Sequence, residues 1–135
     1  MSIYRHKSTL EQWRILQAVV DHGGYAQAGA ALNKSQSSLN HAVSKLQQML
    51  GIQLLEVKGR KAYLTAEGEV MLRRSRLITQ DVEELEMLAD NMLLGWESEI
   101  VIATEIIYPK TKLYDALELF YPQCRGTRVK IIDEV

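Results

Sequence analysis

The sequence predicts a mainly α-helical chain that closes in a partial α/β unit. Three observations carry this expectation. Between Ser35 and Leu50, the residues Leu39, Val43, Leu46 and Leu50 recur at helical spacing and share one stripe, while Ser37, Asn40, His41 and Ser44 share the opposite one. Met71, Ser75, Ile78, Val82, Leu85, Ala89 and Met92 alternate steps of four and three, the 3.5-residue repeat of a coiled-coil seam. Two short apolar runs, 100–103 and 129–132, bracket an amphipathic segment, the pattern of strand, helix, strand.

Taken in order, residues 1–8 are polar and read as a loose arm. Thr9 caps a first helix whose buried stripe is expected at Leu10, Trp13, Leu16 and Val20, and the Gly23-Gly24 pair ends it. Tyr25 to Leu32 is a short second helix whose Ala28, Gly29 and Ala31 allow close approach of a neighbour. Asn33-Lys34 is a tight connection, and Ser35 is the N-cap of the third helix, which Gly51 ends. Two short helices joined by a tight turn form the helix-turn-helix layout, in which the second helix enters the major groove. Here that helix is Ser35 to Leu50. Its outer face is small, polar and nearly uncharged, suited to hydrogen bonds with base edges. An ordinary solvated helix face has the same composition, so the neighbouring elements decide between the two.

Those neighbours support the first reading. After Gly51, Ile52, Leu54 and Leu55 continue the core, and Val57 and Tyr63-Leu64 flank Lys58-Gly59-Arg60-Lys61. That is a short β-hairpin with three cationic side chains at its tip, a wing whose lysines and arginine would meet phosphates or the minor groove. A solvated charged turn is the competing reading. Thr65 then caps a helix from Ala66 to about Leu94, stopped by Gly95; its 3.5 repeat makes Ile78, Val82, Leu85, Ala89 and Met92 the expected dimerisation contacts. The remaining strand, helix and strand build one βαβ unit, with a helix opened by Pro109 and buried through Leu113, Ala116, Leu117 and Phe120. One such unit does not bury both faces of a sheet, so the expectation is a fragment of a longer protein. The full fold class is therefore mainly α: a winged helix-turn-helix at 1–65, a long dimerisation helix at 66–95 and a partial α/β unit at 96–135.

Composition bounds the function. The chain has 135 residues, 47% hydrophobic and 24% charged, with a net charge of −1. Residues 1–76 hold 11 Lys/Arg against 5 Asp/Glu, a balance of +6, and residues 77–135 hold 5 against 12, a balance of −7. A basic first part suits a polyanionic partner. The lone Cys124 allows no disulfide within the chain, and His6, His22 and His41 lack metal spacing, so neither a metal nor a cofactor is expected. No apolar run reaches the ~20 residues of a membrane span, and a cytoplasmic protein is expected. No Gly-rich phosphate loop, Ser/His/Asp arrangement or paired carboxylate is present, so the chain is not expected to be an enzyme.

With these residues in place, the sequence resembles the N-terminal part of LysR-type transcriptional regulators over about residues 9–95. Tyr25, Ala28 and Leu32 match the first helix of the motif; Ser35-Gln36, Leu39 and Leu46 match the recognition helix. Gly51-Ile52, Leu54-Leu55-Glu56, Gly59-Arg60-Lys61, Leu64-Thr65 and Gly68 match the wing and the start of the linker helix. The βαβ tail resembles the opening of the family's effector-binding domain more loosely. The resemblance implies a regulator that binds interrupted palindromic sites in double-stranded DNA. It implies a homodimer or tetramer formed through the linker helix, with a small-molecule effector acting on the full-length protein. It places Gln36, Ser37, Asn40 and His41 on the bases, and Lys34, Ser35, Arg60 and Lys61 on phosphates or the minor groove; Ser44 and Lys58 are further expected backbone contacts. Thr104 stands where the family often places a hydroxyl near the effector, although a hydroxyl there equally terminates a strand. The family usually has proline where Ser37 stands and often arginine where His41 and Val57 stand, so the target sequence is this chain's own. A coiled-coil module that pairs with a full-length regulator is the alternative from another class.

Overall fold

The computed structural model describes residues 3–124 and 126–135. The first two residues of the expected arm lie outside the described residues, and residues 3–9 carry neither helix nor strand. The elements run α1 (Leu10–Asp21), α2 (Tyr25–Leu32), α3 (Gln36–Leu50), β1 (Leu55–Lys58), β2 (Lys61–Leu64), α4 (Ala66–Leu93), β3 (Glu99–Glu105), α5 (Lys110–Phe120) and β4 (Arg128–Glu134). They form two compact units, residues 1–80 and 81–135, whose boundary falls within α4. Among the described residues no helix is long and apolar enough to cross a membrane.

In the first unit, α1 starts at a capping box. Thr9 Oγ1 accepts from Gln12 N at 3.2 Å, and Gln12 Oε1 accepts from Thr9 N at 3.0 Å. The buried set of α1 is Trp13, Ile15, Leu16 and Val19, whereas Leu10 is exposed and Val20 only half-buried. The expected stripe was too narrow and turned too far. The reason is that α1 packs against α2, α3 and β2, and Gln17 also reaches α4 through Ser75 Oγ at 3.1 Å, so an arc rather than a line is covered. Asn33 ends α2 in the left-handed region at φ 54°, a conformation asparagine tolerates better than most residues. Gly29 allows the turn to fold back: a Cβ there would lie 2.8 Å from the Lys34 carbonyl oxygen. Leu39, Val43 and Leu46 of α3 are fully buried with Leu16, Val19, Ala28 and Leu54 in one core.

A junction at Leu54 joins α3, the hairpin and α4. Gln47 Oε1 accepts from Leu54 N at 2.7 Å and from Leu55 N at 3.0 Å. Thr65 N donates to the Leu54 carbonyl at 3.0 Å, and Thr65 Oγ1 caps α4 by accepting from Gly68 N at 2.9 Å. The hairpin is antiparallel, with Leu55 opposite Leu64 and Lys58 opposite Lys61; Gly59 takes the positive φ, 66°, that its two-residue loop requires. Helix α4 has 28 residues and so spans about 42 Å. The first two positions of its 3.5 repeat belong to the domain core instead of a partner-facing seam. Met71 packs on the core beside buried Leu72, and buried Ser75 donates to the Leu72 carbonyl at 2.7 Å. Spacing alone does not reveal this, because the stripe continues unbroken while the surface it meets changes.

In the second unit, β3 and β4 pair in parallel with Glu99 opposite Arg128 and Glu105 opposite Glu134. The strands are longer than the expected 100–103 and 129–132, because backbone pairing continues past the apolar centre of each run. On α5 only Leu113 is buried; Leu117 and Phe120 are half-buried and the expected Ala116 is exposed, since a two-stranded sheet is too narrow to cover a wider stripe.

The junction is testable through Gly68, where a Cβ would lie 2.0 Å from the Leu54 carbonyl oxygen. The two nearest atoms are Leu54 backbone, which does not yield as the end of a flexible side chain would. Gly68→Ala should lower unfolding stability by about 1–3 kcal/mol, the cost of overpacking exceeding the helix-propensity gain of about 1 kcal/mol. A urea melt of this variant matching the wild type would show that α4 does not seat on Leu54.

Candidate nucleic-acid interface

The polar face of α3 is open along its length. Gln36, Ser37, Asn40, His41 and Ser44 are all exposed, opposite the fully buried Leu39, Val43 and Leu46. Ser35 Oγ accepts from Ser38 N at 3.2 Å, so the cap side chain is committed to the helix; Ser37 Oγ lies 3.4 Å from it. Ser44 Oγ donates to Asn40 Oδ1 at 3.2 Å, which joins two residues that the sequence assigned to different tasks.

The hairpin docks beside this face through the α1–α2 turn. Ala62 N donates to the Gly23 carbonyl at 3.4 Å. Gly24 is buried under the tip, where a Cβ would lie 3.0 Å from the Arg60 carbonyl oxygen and 2.7 Å from Gln27 Oε1. The result is a cleft of about 440 Å³ lined by Tyr25, Gln27, Gln36, Arg60 and Lys61, among others. It brings the first residue of α3 together with two of the three wing cations. Lys58, Arg60 and Lys61 are exposed, and no ion pair among the described residues engages them; Lys58 Nζ lies 5.9 Å from the Tyr63 ring centroid. Burial pushes the Tyr25 phenol above its ordinary range.

This arrangement is a helix-turn-helix with a cationic hairpin at the start of its second helix. Residues 10–69 match the model of bacterial regulatory helix-turn-helix proteins of the lysR family. Residues 10–69 are a LysR-family helix-turn-helix domain. The chain is 37% identical over 129 residues, 96% of its length, to the uncharacterized HTH-type transcriptional regulator YeeY of Escherichia coli (strain K12), and covers 42% of that protein. Its fold matches the Corynebacterium glutamicum OxyR C206 mutant at a TM-score of 0.73 and 22% identity, over 99% of this chain and 42% of that one. Over 64% of this chain and 94% of the other, it matches the BenM DNA-binding domain in its complex with catB site 1 DNA, at a TM-score of 0.62 and 26% identity. The chain therefore spans about two-fifths of the length of the full-size relatives it matches.

Within the LysR-family domain, Lys34 differs from the wing cations. Its Nζ pairs with Glu11 Oε1 at 2.7 Å, and Glu11 also holds Arg14 Nη1 at 3.1 Å. Twenty-three positions separate Lys34 from Glu11, and no local pattern exposes such a contact. Arg76 is likewise committed, pairing through both guanidinium nitrogens with Asp21. Gln47, whose side chain holds the base of the hairpin, was also missed; its glutamine side chain carries no signal in the hydrophobic pattern.

The remaining expected residues lie apart from this face. In the first unit Ile78 is exposed; in the second, Leu85, Ala89 and Met92 are exposed and Val82 is half-buried. Thr104 is half-buried at the C-terminal end of β3 and donates to Asp133 Oδ1 at 3.1 Å; Lys110 Nζ pairs with the same oxygen. Lys110, then Thr104, hold the Asp133 carboxyl below the usual carboxylate range. A cleft of about 540 Å³ opens beside them, lined by Ile102, Thr104, Tyr108, Pro109 and Leu113 among others.

Lys34, followed by Arg14, likewise holds the Glu11 carboxyl below the ordinary glutamate range. A depressed carboxylate contributes stability that is present above the unfolded-state value and lost as pH falls through the folded one. Both partners are exposed, so the contribution is at most about 1 kcal/mol. In paired urea melts, wild type should exceed Glu11→Gln at neutral pH, with the difference disappearing below the glutamate range. A difference independent of pH would show that the ion pair does not form in solution.

Proposed function

We propose that this chain is the DNA-reading and linker part of a LysR-type transcriptional regulator, acting in the cytoplasm and without enzymatic activity. The observation that carries the reading is the joining of an uncharged donor–acceptor face on α3 to a cationic hairpin across one cleft. The BenM match supports it, since that domain was solved with DNA. In this reading Gln36, Ser37, Asn40 and His41 meet base edges, while Lys58, Arg60 and Lys61 meet phosphates or the minor groove and release counterions. Ser35 acts through its cap on α3, and Lys34 reaches a phosphate only by leaving Glu11.

Residues 1–65 serve as the reading head and 66–95 as the linker. Residues 96–135 serve as the first part of an effector domain, with Thr104 beside the effector in the full-length protein. The linker pairs two copies, as a homodimer or as part of a tetramer, through Ile78, Val82, Leu85, Ala89 and Met92. Exposed Leu85 and Met92 favour pairing, because a monomer would leave this apolar stripe in water. The same stripe supports the second reading, a coiled-coil module that pairs with a full-length regulator and need not bind DNA itself.

Selection of bound fragments from a genomic duplex library at two salt concentrations tests the first reading. Enrichment of a pseudo-palindrome supports it; no retention at either salt moves the conclusion to the interaction module. Asn40→Ala and His41→Ala should each change the selected sequence. Lys61→Ala should weaken every duplex by a similar factor and reduce the salt slope by about one. A Lys61→Ala effect restricted to one sequence would refute its assignment to the backbone. Leu85→Asp should shift the sedimentation coefficient from dimer to monomer; an unchanged assembly would place the interface elsewhere.

A further inference from the structure

The Asn40–Ser44 contact has a consequence for which base edge is read. These residues lie one helical turn apart on the open face of α3, and both are exposed. Ser44 Oγ donates to Asn40 Oδ1 at 3.2 Å. The hydroxyl occupies one of the two lone pairs of the carboxamide oxygen and restrains rotation of the group. The Nδ2 amino group lies in the carboxamide plane, on the other arm of the group, and no hydrogen bond among the described residues engages it. Asn40 is thereby presented outward as a hydrogen-bond donor.

We propose that Ser44 is a positioning residue that makes Asn40 select a base with an acceptor edge in the major groove and reject cytosine; this rests on the DNA-reading function proposed above. Guanine offers the adjacent acceptors N7 and O6, adenine offers N7 and thymine O4, whereas cytosine presents only its N4 donor. An asparagine reading adenine through two bonds needs both Oδ1 and Nδ2 in the base plane. With Ser44 on one of its two lone pairs, Oδ1 accepts from adenine only by sharing with the hydroxyl or by turning away from it, which favours guanine, whose acceptors need only the Nδ2 donor. Ser44 acts on recognition through Asn40, a different task from the phosphate contact that its position on the helix suggests.

The test uses the whole 135-residue chain and a randomised duplex pool, with wild type, Asn40→Ala, Ser44→Ala and Ser44→Thr compared at two salt concentrations. Asn40→Ala should level the preference at one base pair of the selected site. Ser44→Ala should lower discrimination against cytosine at that same base pair by about fivefold, the lower end of what one good base contact supplies. Affinity for unselected duplex and the salt slope should stay unchanged, and Ser44→Thr should restore the discrimination. A uniform loss across all duplexes with the salt slope reduced by about one would make Ser44 a phosphate contact and overturn the proposal. Full selectivity retained in Ser44→Ala would overturn it while leaving the DNA-reading function intact. A wild-type chain without any sequence preference would overturn both. The free protein gives a second readout, because side-chain couplings should show one Asn40 χ2 state in wild type and averaging in Ser44→Ala; equal order in both would also refute the positioning role.

Discussion

The backbone of Leu54 ties three elements together while its side chain is fully buried in the core. Its N–H donates to Gln47 of α3, its carbonyl accepts from Thr65 at the start of α4, and Gly68 backs against the same carbonyl. A buried backbone amide without a partner is costly, so the Gln47 amide oxygen does more than decorate the helix. It holds the base of the hairpin at a fixed place along α3. The wing cations therefore sit beside Gln36 through a chain of short, local bonds instead of a flexible linker. Helix α4 leaves from the same point, so the direction of the long helix and the pose of the wing depend on one set of contacts.

Charge is distributed with similar economy of position. The first 76 residues carry an excess of +6, yet their cations are not equivalent. Lys34 is neutralised by Glu11 and Arg76 by Asp21, whereas Lys58, Arg60 and Lys61 stand on the hairpin without an ion pair among the described residues. These three cations thus stand at the hairpin, beside the uncharged Gln36, Ser37, Asn40 and Ser44 of α3. In the proposed function, steering and reading are separate tasks: a diffuse, salt-screened attraction from the wing and short-range hydrogen bonds from the helix. The positioning role proposed for Ser44 adds a further level, in which one polar side chain biases the hydrogen bonding of another.

In the second unit the strand, helix and strand place Thr104, Lys110 and Asp133 at the C-terminal edge of a parallel pair. Loops at that edge form clefts readily, because the strands splay there and the following helix starts beside them. Exposed Val101 and Ile132 mark a sheet face that α5 does not cover. That is consistent with a chain spanning about two-fifths of its full-size relatives.

Much of this architecture was readable in the residues themselves. Thr9, Ser35 and Gly51 marked helix ends because caps act within one turn, and the Leu39–Val43–Leu46 stripe marked the buried side of α3 because period and burial are linked. The hairpin followed from Lys58-Gly59-Arg60-Lys61 between Val57 and Tyr63-Leu64, and the βαβ unit from two apolar runs around an amphipathic helix. These are local signals, and the sequence by itself determined what they govern: the elements, their order and the polar composition of the outer face of α3. Tertiary structure alone decided which groups meet across long stretches of chain. It turned Met71 and Ser75 inward, joined Lys34 to Glu11, set Gln47 under the hairpin and exposed Ala116. The physical reason is that a helix repeat states which residues share a stripe, while the surface that stripe meets is set by packing between elements distant in sequence.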